Sequence, residues 1–200
     1  MNFGNAFHYF RENYKGWKLS FYLTGGGICI ADFLKMSGGG RFIHAIYMPY
    51  DAEAHATLQE IGGNHLVWNY PSVSKEAVIE YDSILKNLNR DDRILRVVAS
   101  CALTTTRYRR GDNKAIISFI DDKGNQRIWK LLLKKIEEKE HNELVEKAKN
   151  APKNNPEFWC IDTIRYREDE KVGQSILYAI TEDETLKPLL ELGESLERVN

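Results

Sequence analysis

The chain has 200 residues, a formal net charge of −1, 42% hydrophobic and 28% charged residues. That length suits one domain with room for an appendage and can bury a large core without staples. The near-neutral charge gives no bulk field for a polyanion and points away from nucleic acid as a partner. Cys29, Cys101 and Cys160 are odd in number and widely spaced, so neither a disulfide framework nor a zinc knuckle is expected. No apolar run approaches the ~20 residues that span a bilayer. Met1–Tyr14 is polar and charged throughout and does not resemble a signal peptide. These features together predict a cytoplasmic chain with no membrane partner.

In chain order, Asn5–Tyr14 fits a short amphipathic helix and Trp17–Leu23 a buried, aromatic-rich strand. Thr24-Gly25-Gly26-Gly27 leads from that strand into a predicted helix over Ile28–Met36. Ser37–Gly40 breaks this helix as a cap, and Arg41–Met48 forms a second strand. Asp51 caps a helix that runs to Ile61 and stops at Gly62-Gly63. Ser74 caps the next helix, which has Ala77, Val78, Tyr81, Ile84, Leu85 and Leu88 at helical spacing. Arg93–Ser100 is an apolar core strand, and a polar loop over Thr104–Asn113 follows. Lys114–Ile120 and Arg127–Leu133 flank Lys123-Gly124 as a hairpin, and Lys135–Ala151 is a charged helix. Beyond the Pro152–Pro156 boundary, the spacing predicts strands at Phe158–Arg165 and Ser175–Thr181 and a helix at Glu184–Arg198. The alternation predicts a three-layer α/β/α sandwich over residues 1–153, with a mostly parallel sheet and an antiparallel edge hairpin. Residues 154–200 are expected to be an appendage packing on that domain or on a partner.

The strand–Gly-Gly-Gly–helix turn supplies backbone freedom at Gly25, Gly26 and Gly27 and free N–H groups at a helix start. It suits a phosphate or carboxylate at the carboxyl ends of the strands. A plain tight turn is the alternative, since neither a P-loop nor a GxGxxG fingerprint is present. Thr104, Thr105, Arg109 and Arg110 lie in a loop whose arginine forks suit phosphate, though an exposed polar loop has the same composition. Tyr47, Tyr50 and His55 form a third group, in which His55 could act as acid or base or simply be exposed. Gly39 is a further candidate for lining a pocket. No GxSxG elbow, HExxH or clustered metal ligands occur, so no metal and no cofactor are expected.

In order and spacing these segments resemble the C-terminal domain of the CinA family, the nicotinamide-nucleotide amidases. Phe21–Gly26 stands where the family has Glu-Ser-Cys-Thr-Gly-Gly, and Ser37–Gly40 where it has a Pro-Gly-Ala or Ala-Gly-Ser segment. Tyr50–His55 stands for Tyr-Ser-Asn-Glu-Ala-Lys, Ser72–Val78 for a Gly-Ala-Val-Ser-Glu-Glu-Val helix start, and Ser100–Thr104 for Ser-Gly-Ile-Ala-Gly-Pro. Arg109-Arg110-Gly111-Asp112 adds a closer likeness to the CinA-like domains fused to nucleotidyltransferase-like domains in eukaryotes. The resemblance covers about residues 5–150 and implies hydrolysis of nicotinamide mononucleotide to nicotinic acid mononucleotide and ammonia. It implies a serine nucleophile with a tyrosine and a lysine nearby, and self-association into homo-oligomers. Here Tyr22 replaces the serine and His55 the lysine, while Thr24 and Tyr50 keep the family type. Two readings stay open: a module that binds a nucleotide or phosphorylated small molecule without serine-based chemistry, and an amidohydrolase with a rearranged site at Tyr22, Thr24, Tyr50 and His55.

Overall fold

The computed structural model of the chain describes residues 3–35, 38–63, 71–89 and 91–199. The expected Met36 and Ser37 positions lie outside them. The elements are α1 (Phe3–Asn13), β1 (Lys18–Thr24), β2 (Ile43–Tyr47), α2 (Ala52–Ile61), α3 (Lys75–Leu88), β3 (Ile94–Ala102), β4 (Lys114–Ile120), β5 (Gln126–Leu132), α4 (Glu138–Asn150), α5 (Cys160–Thr181) and β6 (Ser195–Arg198). The expected helix caps form: the Asp51 carboxylate accepts from the Ala54 amide at 2.8 Å and the Ser74 hydroxyl from the Ala77 amide at 3.1 Å.

The six strands form one mixed sheet in the order β2-β1-β3-β4-β5-β6. β2, β1 and β3 run parallel; β3–β4, β4–β5 and β5–β6 pair antiparallel. Strand alternation divides the core between two faces. Leu19, Phe21, Leu23, Leu95, Val97 and Ile117 face α1 and α5; Tyr22, Val98 and Ile116 face α3. The fold is therefore a three-layer α/β/α sandwich.

Four element assignments change. Phe158–Arg165 and Ser175–Thr181 are not strands: Phe158 and Trp159 end a 3-10 turn, and the rest form the two ends of α5, one helix of 22 residues. Ile161, Glu168, Val172, Ile176 and Ile180 are buried along it at spacings of four and seven, a helical period. The runs at its ends are rich in β-branched and aromatic residues, and its middle is polar. Glu184–Arg198 is not a helix: a 3-10 turn over Glu184–Leu186 precedes Pro188, and Gly193, at φ +91°, turns the chain into β6. Proline cannot donate into a helix and its ring crowds the preceding turn. The segment after Gly27 is a 3-10 helix over Ile28–Lys35 instead of an α-helix. Residues 154–199 supply α5 to one face of the sheet and β6 to its edge, so they share its core.

Candidate functional site

The parallel strands β1 and β3 end side by side, Thr24 against Ser100. Ser20, Tyr22 and Thr24 alternate onto the α2–α3 face. Tyr22 is fully buried and stacks on Tyr81 at 4.7 Å between ring centroids. The Asp51 cap fixes the start of α2 and thereby carries His55 over the same tyrosine, 5.5 Å away. His55 Nδ1 lies 2.9 Å from the Tyr22 hydroxyl and Nε2 lies 3.4 Å from Thr24 Oγ1. Three of the four residues singled out for catalysis thus meet. Tyr50 is 73% exposed at their edge, with its hydroxyl 3.4 Å from the Arg165 guanidinium.

The protonation states here follow from burial. Desolvation, with Tyr81 alongside, pushes the Tyr22 phenol far above its ordinary range, so it stays neutral. Desolvation holds His55 below the usual histidine value, partly opposed by Asp51. Among the described residues His55 is the hydrogen-bond partner of Tyr22. A buried phenol proton with one available acceptor is best satisfied by donating to it. Tyr22 O–H therefore donates to Nδ1, and the ring proton sits on Nε2, aimed at Thr24 (a tautomer that makes His55 a donor and not a base).

The glycine turn is closed from the other side. Arg165, Glu168 and Asp169 occupy one face of α5 and lie over the carboxyl ends of β1 and β3. The Asp169 carboxylate accepts from the amides of Gly27, Ile28 (3.3 Å) and Cys29 (3.0 Å), and Cys29 Sγ donates to the Asp169 carbonyl at 3.0 Å. The amides expected to await an external anion are engaged by the chain's own carboxylate. Arg165 donates to the carbonyls of Gly25 and Thr104, both at 3.0 Å. Glu168, 6% exposed, accepts from Thr104 N (2.6 Å), Thr104 Oγ1 (2.8 Å) and Asn113 Nδ2 (2.7 Å). Gly25, at φ +75°, passes so close to β3 that a Cβ would stand 2.1 Å from the Cys101 carbonyl oxygen. Gly26 and Gly27 are buried beneath Leu103, Asp169, Val172 and Ile176. Glycine is required there for packing, in addition to any freedom a ligand would use. Burial, then Asp169, pushes the Cys29 and Cys101 thiols up, so neither is a ready thiolate.

The other expected residues separate. Thr104 is buried under Glu168. Thr105 Oγ1 donates to the Arg107 carbonyl at 2.8 Å, and its own carbonyl meets His141 Nε2 at 2.7 Å. Arg109 is half-buried and Arg110 is exposed, the latter's carbonyl accepting from Lys135 at 2.7 Å. Tyr47 packs with the α3-side core around Tyr22. Gly39 does not join the site. It sits in a 3-10 turn leading into the amino end of β2, beside Leu19 of β1, and so at the opposite end of the sheet from Thr24. Sequence reasoning missed Arg165, Glu168, Asp169 and His141. Their signal was the helical spacing of the first three, hidden by reading Phe158–Arg165 as a strand. Among the described residues no group of three or more His, Cys, Asp or Glu side chains is placed to hold a metal, and no helix is long and apolar enough to cross a membrane.

No protein-family profile matches the chain, and no curated protein matches it in sequence. Solved structures do match. A competence damage-inducible protein A (ComA) from Klebsiella pneumoniae superposes with a TM-score of 0.56 at 13% identity, over 92% of this chain and 98% of that one. A competence or damage-inducible protein from Enterobacter asburiae gives 0.51 at 15% identity, over 73% and 87%. A CinA superfamily protein from Klebsiella pneumoniae gives 0.52 at 12%, over 85% and 94%. The chain has a CinA-like fold. At these identities the likeness speaks of architecture.

Proposed function

We propose that this chain is a diverged CinA-type domain that binds a nucleotide or another phosphorylated small molecule and has lost serine-based amide hydrolysis. The observation that carries this reading is the Tyr22–His55 hydrogen bond. A nucleophile needs a base that takes its proton and an orienter that keeps the base's lone pair turned toward it. Tyr22 is buried, neutral and out of reach of a substrate carbonyl, and by donating to Nδ1 it leaves Nε2 carrying a proton. Thr24 Oγ1 then faces a donor. A donor histidine, an exposed tyrosine and the Arg165 guanidinium at the carboxyl ends of parallel strands form a binding surface of the kind open α/β sheets use.

The test has two arms. Thermal unfolding with a panel of nucleotides, nucleosides and inorganic phosphate should show at least one phosphate-bearing compound raising the melting temperature, since a ligand held only by the folded state stabilises it by about 2.7 kcal/mol at a hundred times its Kd. Incubation with nicotinamide mononucleotide should release no ammonia above a heat-inactivated control. Release that disappears in Thr24→Val would overturn the non-catalytic part, and a silent panel would overturn the binding part.

A further inference from the structure

The hydrogen bonds that start at the fully buried Tyr22 hydroxyl run in one direction, through His55 to Thr24, both half-buried. Tyr22 donates to Nδ1 and Nε2 carries the ring proton, so Thr24 Oγ1 is the acceptor in the 3.4 Å contact with His55. A hydroxyl that accepts still has its own proton to place. Among the described residues the Thr24 hydroxyl has no second hydrogen-bond partner. At the surface, then, Thr24 is a donor.

The residue after Thr24 leads to a cation. The half-buried Arg165 guanidinium donates to the Gly25 and Thr104 carbonyls at 3.0 Å and lies 3.4 Å from the Tyr50 hydroxyl. All three partners are neutral. The two carboxylates that follow on α5 are turned to other donors: Glu168 to Thr104 and Asn113, Asp169 to the amides of Gly27, Ile28 and Cys29. Among the described residues no carboxylate forms an ion pair with Arg165. A charge drawn partly out of water calls for a counter-charge. Tyr50, 73% exposed, borders this corner on the solvent side.

We propose that the corner between Thr24 and Arg165 takes an anionic group that only accepts hydrogen bonds, a carboxylate or a phosphoryl group, with one oxygen on the Thr24 hydroxyl and another on the Arg165 guanidinium. A carboxamide suits it less: its oxygen answers one donor and its NH2 turns a further donor on the other. Tyr22 is a positioning residue for this corner. From inside the core it sets the direction of the His55–Thr24 hydrogen bond and so the polarity that a ligand meets. This deepens the binding function proposed above and rests on it, placing the ligand's negative group away from the Gly27–Cys29 amides. No covalent bond is made or broken.

The test uses three ligands built on one ring, benzoate, phenyl phosphate and benzamide, titrated into the full chain at matched ionic strength and followed by NMR at the Thr24 amide and the His55 ring. At least one of the two anions should bind about tenfold more tightly than benzamide, the scale of one hydrogen bond to a charged group. Which anion it is names the source of the charge. Thr24→Val should abolish the preference, and Thr24→Ser, which keeps the hydroxyl, should retain it. Arg165→Gln should abolish it too; if that variant does not fold, the Thr24 pair decides. Nitrogen NMR of the His55 ring should show a bare Nδ1 and a protonated Nε2 in wild type, with the other tautomer gaining population in Tyr22→Phe, a change that lost packing alone does not produce. Benzamide binding as tightly as both anions, or a bare Nε2 in the neutral wild-type ring, sinks the proposal. If nucleotides stabilise the protein while neither anion is preferred, this inference fails and the broader reading stands. A protein that binds neither the anions nor any nucleotide removes both.

Discussion

The two glycine- and arginine-rich loops at the carboxyl end of the sheet invite the same description in sequence and have opposite solutions in space. The Gly25–Gly27 turn is sealed: its amides, its carbonyl and its missing side-chain volume are all met by α5 and β3. The Thr104–Asn113 loop is tied down by Glu168 at Thr104 and Asn113, while Arg107, Arg109 and Lys135 line a recess beside it that the chain leaves open. Polarity alone therefore does not mark a ligand site. What separates the two loops is whether the chain itself completes the hydrogen-bond inventory.

The comparison breaks most severely at Gly25. Gly25→Ala combines a positive φ with a Cβ set against the Cys101 carbonyl. Adding left-handed strain to overpacking, it should destabilise by about 3–5 kcal/mol, read as a lower urea midpoint with an unchanged slope. Next, Asp169→Ala strips the acceptor from the Gly27–Cys29 amides and should cost about 2–4 kcal/mol, with acetate recovering part of it. A cost within about 0.5 kcal/mol would mean that the seal is ornamental. Tyr22→Phe removes the donor to His55 Nδ1 and should cost about 1–2 kcal/mol, with the ring proton free to move to Nδ1.

The same histidine sets a pH dependence. Its folded-state value is lowered by burial, so the unfolded chain takes up a proton first as pH falls. Stability should be fully present above about 6.5 and decline below it, a slope that His55→Gln flattens in urea melts recorded across that range. The smallest expected effect sharpens the contrast: Arg109→Gln should change stability in buffer by less than about 0.5 kcal/mol. A half-buried cation at a loop surface is dispensable to the fold in a way that a sealing carboxylate is not.

Local chemistry was legible in the residues. Asp51 and Ser74 announced their helices because an N-cap needs only a side-chain oxygen and a free amide three residues on. The Lys123-Gly124 turn announced the hairpin for a similar reason, with Gly124 at φ +79°. His55 and Thr24 were named as partners on residue type, and Tyr22 by position. What stayed hidden was the tertiary closure. Nothing in Arg165-Tyr166-Arg167-Glu168-Asp169 distinguishes a solvated helix face from one aimed at backbone amides 140 residues away. Ile161 and Ile180 suit a strand or a helix equally over short windows, so α5 went unrecognised and its staples with it. The burial of His141 is likewise a property of packing, since it depends on where Thr105 places its carbonyl.

Asp169 has a consequence for assembly. The turn after β1 is near the beginning of the chain, yet the carboxylate that finishes it arrives only with α5. During synthesis the amino-terminal strands emerge with those amides still hydrated and the glycines unconstrained. Those amides gain their carboxylate only once α5 is made and docked across the sheet. Contacts of such long sequence separation slow folding, and an antiparallel pairing of β4 and β5 can be in place well before the parallel end of the sheet becomes rigid.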